Sequence, residues 1–248
     1  ITAEDVGTTE EDMEAVSLET KYVTGVSKKN GGSGDPSPVT AYGTYIGIKA
    51  SAQYKFGVSS IAGLKIIVQG VGSVGKHLVG YLCNDGAEVY INDIDVEKLN
   101  HVSKKFNVKT IDTEFLYDFD ADIYAPCALG ATVNDITINK FKCSIIAGAA
   151  NNILLNPGKH GSELMKRNIL FAPDYVINAG GLINVAHEIN GYDERKVKEE
   201  TEKIYDTLLS IYKISERDKI STSDASSKLA EEIILEKHKD KLSQAELW

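Results

Sequence analysis

The spacing of apolar residues changes period several times along the chain, and each period predicts a different element. Ile66-Ile67-Val68 is apolar without alternation, the pattern of a strand covered on both faces of a parallel sheet. The run 65–69 is the first of five short strand candidates, followed by 88–92, 122–125, 144–147 and 169–171. Between them the spacing predicts helices near 74–84, 96–106, 131–141 and 159–167. Strand and helix in repeated alternation predict an α/β fold, a doubly wound and mostly parallel sheet. Upstream, Val39, Tyr42, Tyr45, Ile46 and Ala50 recur at spacings of three and four, which predicts a helix from 39 to about 56. It follows Gly31-Gly32-Ser33-Gly34-Asp35-Pro36-Ser37-Pro38, whose glycines and prolines predict a hinge or tight loop. Downstream, Val197, Ile204, Leu208, Leu209 and Tyr212 form one apolar stripe, and Leu229, Ile233 and Ile234 another. These predict amphipathic helices laid over the core.

Composition narrows the class. The chain has 248 residues, 42% apolar and 25% charged, which is ordinary for a globular protein. Its 36 acidic against 27 basic residues give a net charge of −9, which argues against a nucleic-acid or anionic-membrane partner. Cys83, Cys127 and Cys143 include no C-x-x-C pair, so reduced thiols in the cytoplasm are expected rather than a disulfide framework or zinc ribbon. The five histidines (His77, His101, His160, His187, His238) show no metal-ligand spacing, and His187 is expected to face solvent. Asp193 to Glu200 is a charge run expected to be a solvated helix face. No run of about 18 apolar residues is present to span a bilayer. The first residues, Ile1-Thr2-Ala3-Glu4-Asp5, lack the basic and apolar regions of a signal peptide.

Chemistry enters at Gly70-Val71-Gly72-Ser73-Val74-Gly75, which directly follows the apolar strand and opens a helix. A second strand ends at Asp93, about twenty residues on. In this pattern Gly70 permits the tight turn, Gly72 lets backbone approach a pyrophosphate, and Gly75 lets helix and strand pack closely. Helix-start amides at Ser73 and Val74 then stabilise the phosphate charge. Asp93 would accept hydrogen bonds from the adenosine ribose and repel a 2′-phosphate, so the expected cofactor is NAD rather than NADP. Ala128, Leu129 and Gly130 follow a strand end, where ligands of open α/β sheets bind, and would line the nicotinamide ribose.

Four longer motifs resemble a known family. They are 31–43, beginning Gly31-Gly32-Ser33-Gly34; Tyr124-Ala125-Pro126-Cys127-Ala128-Leu129-Gly130-Ala131; Ala147-Gly148-Ala149-Ala150-Asn151-Asn152; and Ala172-Pro173-Asp174-Tyr175-Val176-Ile177-Asn178-Ala179-Gly180-Gly181. In this order they resemble the amino-acid dehydrogenases that act on Glu, Leu, Phe and Val, nearest to the leucine branch. The resemblance runs from Thr2 to at least Tyr192. It implies NAD-dependent, reversible oxidative deamination of an L-amino acid to a 2-oxo acid and ammonia, within branched-chain amino-acid catabolism. It implies a catalytic proton relay at Asp5, because Thr2-Ala3-Glu4-Asp5-Val6-Gly7-Thr8 matches the family's relay segment. Such a relay needs a carboxylate desolvated enough to exchange protons near neutral pH.

By the same resemblance Thr40 and Asn178 would contact the nicotinamide carboxamide, Asn151 the cofactor, and Asn152 the substrate. From its position alone Thr40 reads equally as a helix N-cap. Leu182 and Val185, three apart on a helix, would face one way and line the substrate side-chain pocket, although core packing is an equal reading. An aliphatic wall disfavours a charged substrate side chain, so a branched aliphatic amino acid is expected ahead of glutamate, with an aromatic one (Phe or Trp) as the alternative. Leu182 is bulkier than the Val usual in the family.

The family places two catalytic lysines upstream of its relay segment, and Lys21, Lys28 and Lys29 do not replace them, since none follows a glycine run. The expectation is a piece of a longer enzyme; the alternative is an NAD-binding module without chemistry. The expected division is 1–35 as part of a substrate and oligomerisation domain, 36–190 as a Rossmann-type NAD domain, and 191–248 as helices returning toward the first. Homo-oligomers, octamers in the leucine branch, are implied as well.

Overall fold

The computed structural model describes residues 1–5 and 7–245, without the side chains of Asn190 and 237–245. Val6 of the relay segment and the His238 side chain therefore lie outside the described residues. The elements are α1 (Glu10–Ser17), α2 (Ser37–Phe56), β1 (Lys65–Gln69), α3 (Ser73–Asn84), β2 (Glu88–Asn92), α4 (Val96–Phe106), β3 (Lys109–Thr110) and β4 (Ile123–Pro126). They continue with β5 (Ile145–Ile146), α5 (Pro157–Lys166), β6 (Leu170–Phe171), α6 (Asp174–Ile177), α7 (Gly180–Ala186), α8 (Glu194–Glu202), α9 (Ile204–Asp218) and α10 (Thr222–Ala245).

All six strands are parallel, in the order β3-β2-β1-β4-β5-β6. This is the doubly wound, Rossmann-type α/β architecture. Side chains alternate across the sheet. Ile66, Val68, Val89, Ile91, Ile123, Ala125 and Ile145 point to a core shared with α2, α3, α4 and α9. Ile67, Tyr90, Tyr124, Ile146 and Phe171 point to a second core on the opposite face. Burial on both faces explains why these strands read as unbroken apolar runs. The chain runs from β1 outward through β2 to β3 and then crosses back to β4 on the other side of β1, so a crevice opens between the carboxyl ends of β1 and β4.

Strands β1 and β2 and helix α4 match their predicted limits. The helix predicted at 131–141 does not form. That segment holds a single 3-10 turn, Thr137–Asn139, because it is rich in β-branched residues and Asn134 competes for the backbone. The Asn134 side-chain oxygen accepts from the Ile136 and Thr137 amides at 3.0 and 3.1 Å. Strand β3, at an edge and two exposed residues long, carries no apolar signal and was not predicted. The α2 helix forms, but its buried face is not the Tyr42–Tyr45–Ile46 stripe. It is Ala41, Gly43, Thr44, Gly47, Ile48, Ala50, Ser51 and Ala52. Small residues let α2 lie close to its neighbours. A Cβ on Gly47 would meet Ile177 and Leu208, the latter 2.9 Å away.

Of the C-terminal stripes, Val197, Ile204, Leu208 and Tyr212 are buried. Ile233 and Ile234 on α10 are exposed instead of covering the core. His187 is not a solvent-facing group: its Nε2 lies 3.2 Å from Glu200 Oε2. No described helix is long and apolar enough to cross a membrane.

Candidate active-site cleft

Four loops converge at the carboxyl ends of the strands, and the first is the glycine turn. Gly70 has φ +92°, a left-handed conformation that L side chains rarely adopt. Its amide donates to the Asn92 carbonyl at 2.7 Å, which joins the turn to the end of β2. A Cβ on Gly75 would collide with the Gly70 carbonyl oxygen, so α3 can start this close to β1 only with glycine there. At Gly72 nothing lies within 4 Å of where a Cβ would sit. The first turn of α3, with Ser73 and Val74, has no side-chain cap. Open space above uncapped helix amides is an anion site in waiting.

Asp93 stands beside this turn. Its Oδ2 accepts from the Val71 amide at 2.7 Å and its Oδ1 from the Asp95 amide at 2.8 Å. An ionised carboxylate offers about four acceptor positions, so two remain for a diol. Ile94, next in sequence, is 93% exposed, an apolar surface beside the crevice that suits a flat ring. The residues fit a dinucleotide.

The second and third loops, after β4 and β5, are joined to each other. The Ala131 amide donates to the Asn152 carbonyl at 2.7 Å. A Cβ on Gly130 would crowd the carbonyl oxygens of Asn151 and Asn152. Ala128, Leu129, Gly130, Asn151 and Asn152 are all exposed at this end of the sheet. Asn152 sits at φ 53°, a left-handed position that Asn tolerates well. The fourth loop, after α6, presents Asn178, whose Nδ2 donates to the Ala149 carbonyl at 3.1 Å and to Asn151 Oδ1 at 2.6 Å. Asn151 and Asn178 are thus one amide pair, not two separate contacts.

Thr40 lies within the first turns of α2. Its Oγ1 donates to the Pro36 carbonyl at 3.0 Å, so it is not an N-cap, and its lone pairs stay available. A Cβ on Gly181 would approach that Oγ1 to 2.5 Å, so the glycine pair Gly180-Gly181 is what lets α7 pack on α2. On α7, Val185 is 8% exposed and Leu182 72%. Val185 is held in the packing while Leu182 stands open. Asp5 is carried elsewhere, on the N-terminal segment, where its amide donates to Thr8 Oγ1 at 2.9 Å. That segment is pinned by pairing of Thr2 with Tyr22 and Thr24, both at 2.9 Å.

Burial shapes the local electrostatics. The Cys127 thiol, under the glycine turn, is pushed up to about 12 by burial, so it stays protonated and is no nucleophile. Burial lowers the His77 pKa on α3, with Lys76 and Lys105 adding to the effect and Asp35 opposing it. Among the described residues no group of three or more His, Cys, Asp or Glu converges as a metal site. Sequence reading passed over Glu188, just beyond α7, which reaches back to the N-terminal segment through three hydrogen bonds. An acid in a polar stretch carries no periodic or motif signal, so only the fold reveals it.

Comparison with known proteins bears on the family and the fold. The family model described as Glutamate/Leucine/Phenylalanine/Valine dehydrogenase matches residues 90–240. Leucine dehydrogenase of Thermoactinomyces intermedius is 48% identical over 94% of this chain, and valine dehydrogenase of Streptomyces virginiae 44% over the same share. The chain spans 64% and 65% of the lengths of those two relatives. The crystal structure of L-tryptophan dehydrogenase from Nostoc punctiforme superimposes with a TM-score of 0.86 at 41% identity, over 96% of this chain and 68% of that one. By sequence and by fold, this chain belongs to the glutamate/leucine/phenylalanine/valine dehydrogenase family.

Proposed function

We propose that this chain is the coenzyme-binding part of an NAD-dependent dehydrogenase that deaminates a branched-chain aliphatic L-amino acid to its 2-oxo acid and ammonia. The observation that carries the reading is the unobstructed Gly72 above the uncapped start of α3, with the Asp93 carboxylate alongside. The amides of Ser73 and Val74 hold the pyrophosphate, and Asp93 takes the adenosine ribose hydroxyls. Its negative charge disfavours a 2′-phosphate, which is why NAD is preferred over NADP. Bound NAD supplies the hydride acceptor. Thr40 Oγ1 and the Asn178 amide orient the nicotinamide carboxamide, while Ala128, Leu129 and Gly130 line its ribose. Asn151 positions Asn178, and Asn152 orients the substrate. Leu182 and Val185 form the aliphatic side of the substrate pocket, and Asp5 holds and returns the proton moved during deamination.

In this reading residues 1–35 belong to a substrate domain, 36–190 to the NAD domain, and 191–248 to helices packed back toward the first. The protein works as a cytoplasmic homo-oligomer, an octamer. An aromatic substrate is the second reading. The 72% exposure of Leu182 favours it, because an open wall accepts a larger ring; a relative named L-tryptophan dehydrogenase is 45% identical.

Fluorescence titration of the purified chain should give NADH binding at least about tenfold tighter than NADPH, a difference of about 1.4 kcal/mol. Asp93→Ser should erase that preference. Reductive amination by the longest polypeptide its gene encodes should favour the 2-oxo acids of Leu, Val and Ile over those of Phe and Trp. Absence of binding by either nucleotide would overturn the proposal. Binding without turnover of any oxo acid would leave a silent NAD module instead.

A further inference from the structure

Glu188 makes contacts that the proposed reaction does not itself use. Its Oε1 accepts from the Gly25 amide at 2.7 Å, from the Ser33 amide at 2.7 Å, and from the Ser33 hydroxyl. One carboxylate oxygen thus gathers three donors from both ends of the 25–33 loop. Glu188 lies in the 3-10 turn His187–Asn190 that directly continues α7. The contact joins the helix carrying Leu182 and Val185 to a segment more than 150 residues away in sequence.

The loop is built to present those donors. Gly25, Gly31 and Gly34 have φ of +82°, +85° and +68°, and a Cβ on Gly32 would collide with the Val26 carbonyl. The Gly32 amide donates to the Ser27 carbonyl at 3.0 Å and the Gly34 amide to the Val26 carbonyl, also at 3.0 Å, closing the loop on itself. Ser33, at its far end, is buried. On the other side, the loop carries the relay segment. The Thr24 amide donates to the Thr2 carbonyl at 2.9 Å, and a Cβ on Gly25 would sit 3.7 Å from the Glu4 amide, one residue before Asp5. A continuous path of bonds and packed backbone therefore runs from the end of α7 through Glu188 and Gly25 to the segment leading into Asp5.

We propose that Glu188 is a positioning residue: it latches the 25–33 loop to the end of α7 and so fixes Asp5 relative to the cleft. The role rests on the reading of Asp5 as proton relay. The chemistry of the latch is specific in reach and charge. Hydrogen bonds to an ionised acceptor are roughly twice as strong as neutral ones, and three on one oxygen hold the loop at a fixed distance. Shortening the side chain by one methylene would withdraw the oxygen by more than a hydrogen bond can stretch. Replacing the carboxylate by an amide of equal length would keep an acceptor in place.

The test compares Glu188→Ala, Glu188→Asp and Glu188→Gln. Amide hydrogen exchange on the purified chain should show Gly25 and Ser33 losing protection about tenfold or more in the Ala and Asp variants, with most protection kept by Gln. NADH affinity should change less than about twofold in all three. In the longest encoded polypeptide, kcat should fall about tenfold in Glu188→Ala with KM for the coenzyme unchanged. In an Asp5→Asn background the same substitution should cost nothing further, because it acts only through Asp5. Unchanged protection at Gly25 and Ser33, or full additivity with Asp5→Asn, would overturn the latch. Its failure is separable from that of the proposed function: lost loop protection with no turnover in the unsubstituted protein would count against the dehydrogenase reading and leave the latch standing. If Glu188→Ala does not fold, the Asp and Gln pair carries the comparison.

Discussion

Two glycines three residues apart at the start of α3 are held for opposite reasons. Gly75 is fixed by the protein itself, since a Cβ there would strike the Gly70 carbonyl. Gly72 faces open space and has no such constraint. Gly75→Ala should therefore cost about 1–3 kcal/mol of stability, measured by denaturant unfolding. Gly72→Ala should leave stability within about 0.5 kcal/mol, yet weaken NADH binding about tenfold, because the methyl fills the space a phosphate would use. Equal effects of both on stability would contradict this division. The spacing of the motif predicted the close helix–strand packing at Gly75. It could not show that Asn151 and Asn178 pair with each other, or that Glu188 gathers the 25–33 loop. Those contacts join residues 27 and 155 positions apart, and no local period reports such a distance.

Among the elements, α2 shows where hydrophobic spacing misleads. Tyr42 and Tyr45 follow helical spacing, yet both lie on the partly exposed side of the helix, against Tyr81 of α3. Tyr45 and Tyr81 lie 5.6 Å apart, and Tyr42 and Tyr81 5.5 Å. Small residues dominate the buried side, and at Gly47 α6 and α9 lie too close for a larger one. Helix propensity and packing thus oppose each other at Gly47. Alanine gains about 1 kcal/mol in propensity, but its methyl would press on Ile177 and Leu208, both fully buried and without room to move. Packing should win, with Gly47→Ala losing about 1–2 kcal/mol in a urea melt; a stabilised variant would show that the helices can part. The missing helix at 131–141 is the converse case. Spacing there suggested one, but β-branched side chains and the Asn134 turn outweighed it.

At the scale of the whole molecule, the two faces of the sheet are buried deeply enough to silence the thiols beneath them. Burial pushes both Cys127 and Cys143 up to about 12 from an ordinary 9. Folded protein at pH 8 should therefore leave both unlabelled by iodoacetamide, and unfolding in guanidinium should expose them. The folded state binds these protons more tightly than the unfolded chain does. The associated stability is intact below pH 9 and is lost as pH climbs from 9 toward 12. A melting temperature flat across that interval would exclude the effect.

The strand order also governs how this molecule comes into being. Strand β1 pairs with β2, 23 residues along the chain, but also with β4, whose partner for Ile66 is Ile123. Each half, β1-β2-β3 and β4-β5-β6, can assemble from nearby contacts, whereas joining the two across β1 and β4 needs a long closure. The crevice lies on the seam between them. A nucleotide that gripped this seam, as proposed, would find it only once both halves had met, so coenzyme would draw the population toward complete molecules by mass action, and half-assembled chains would have nothing to offer it.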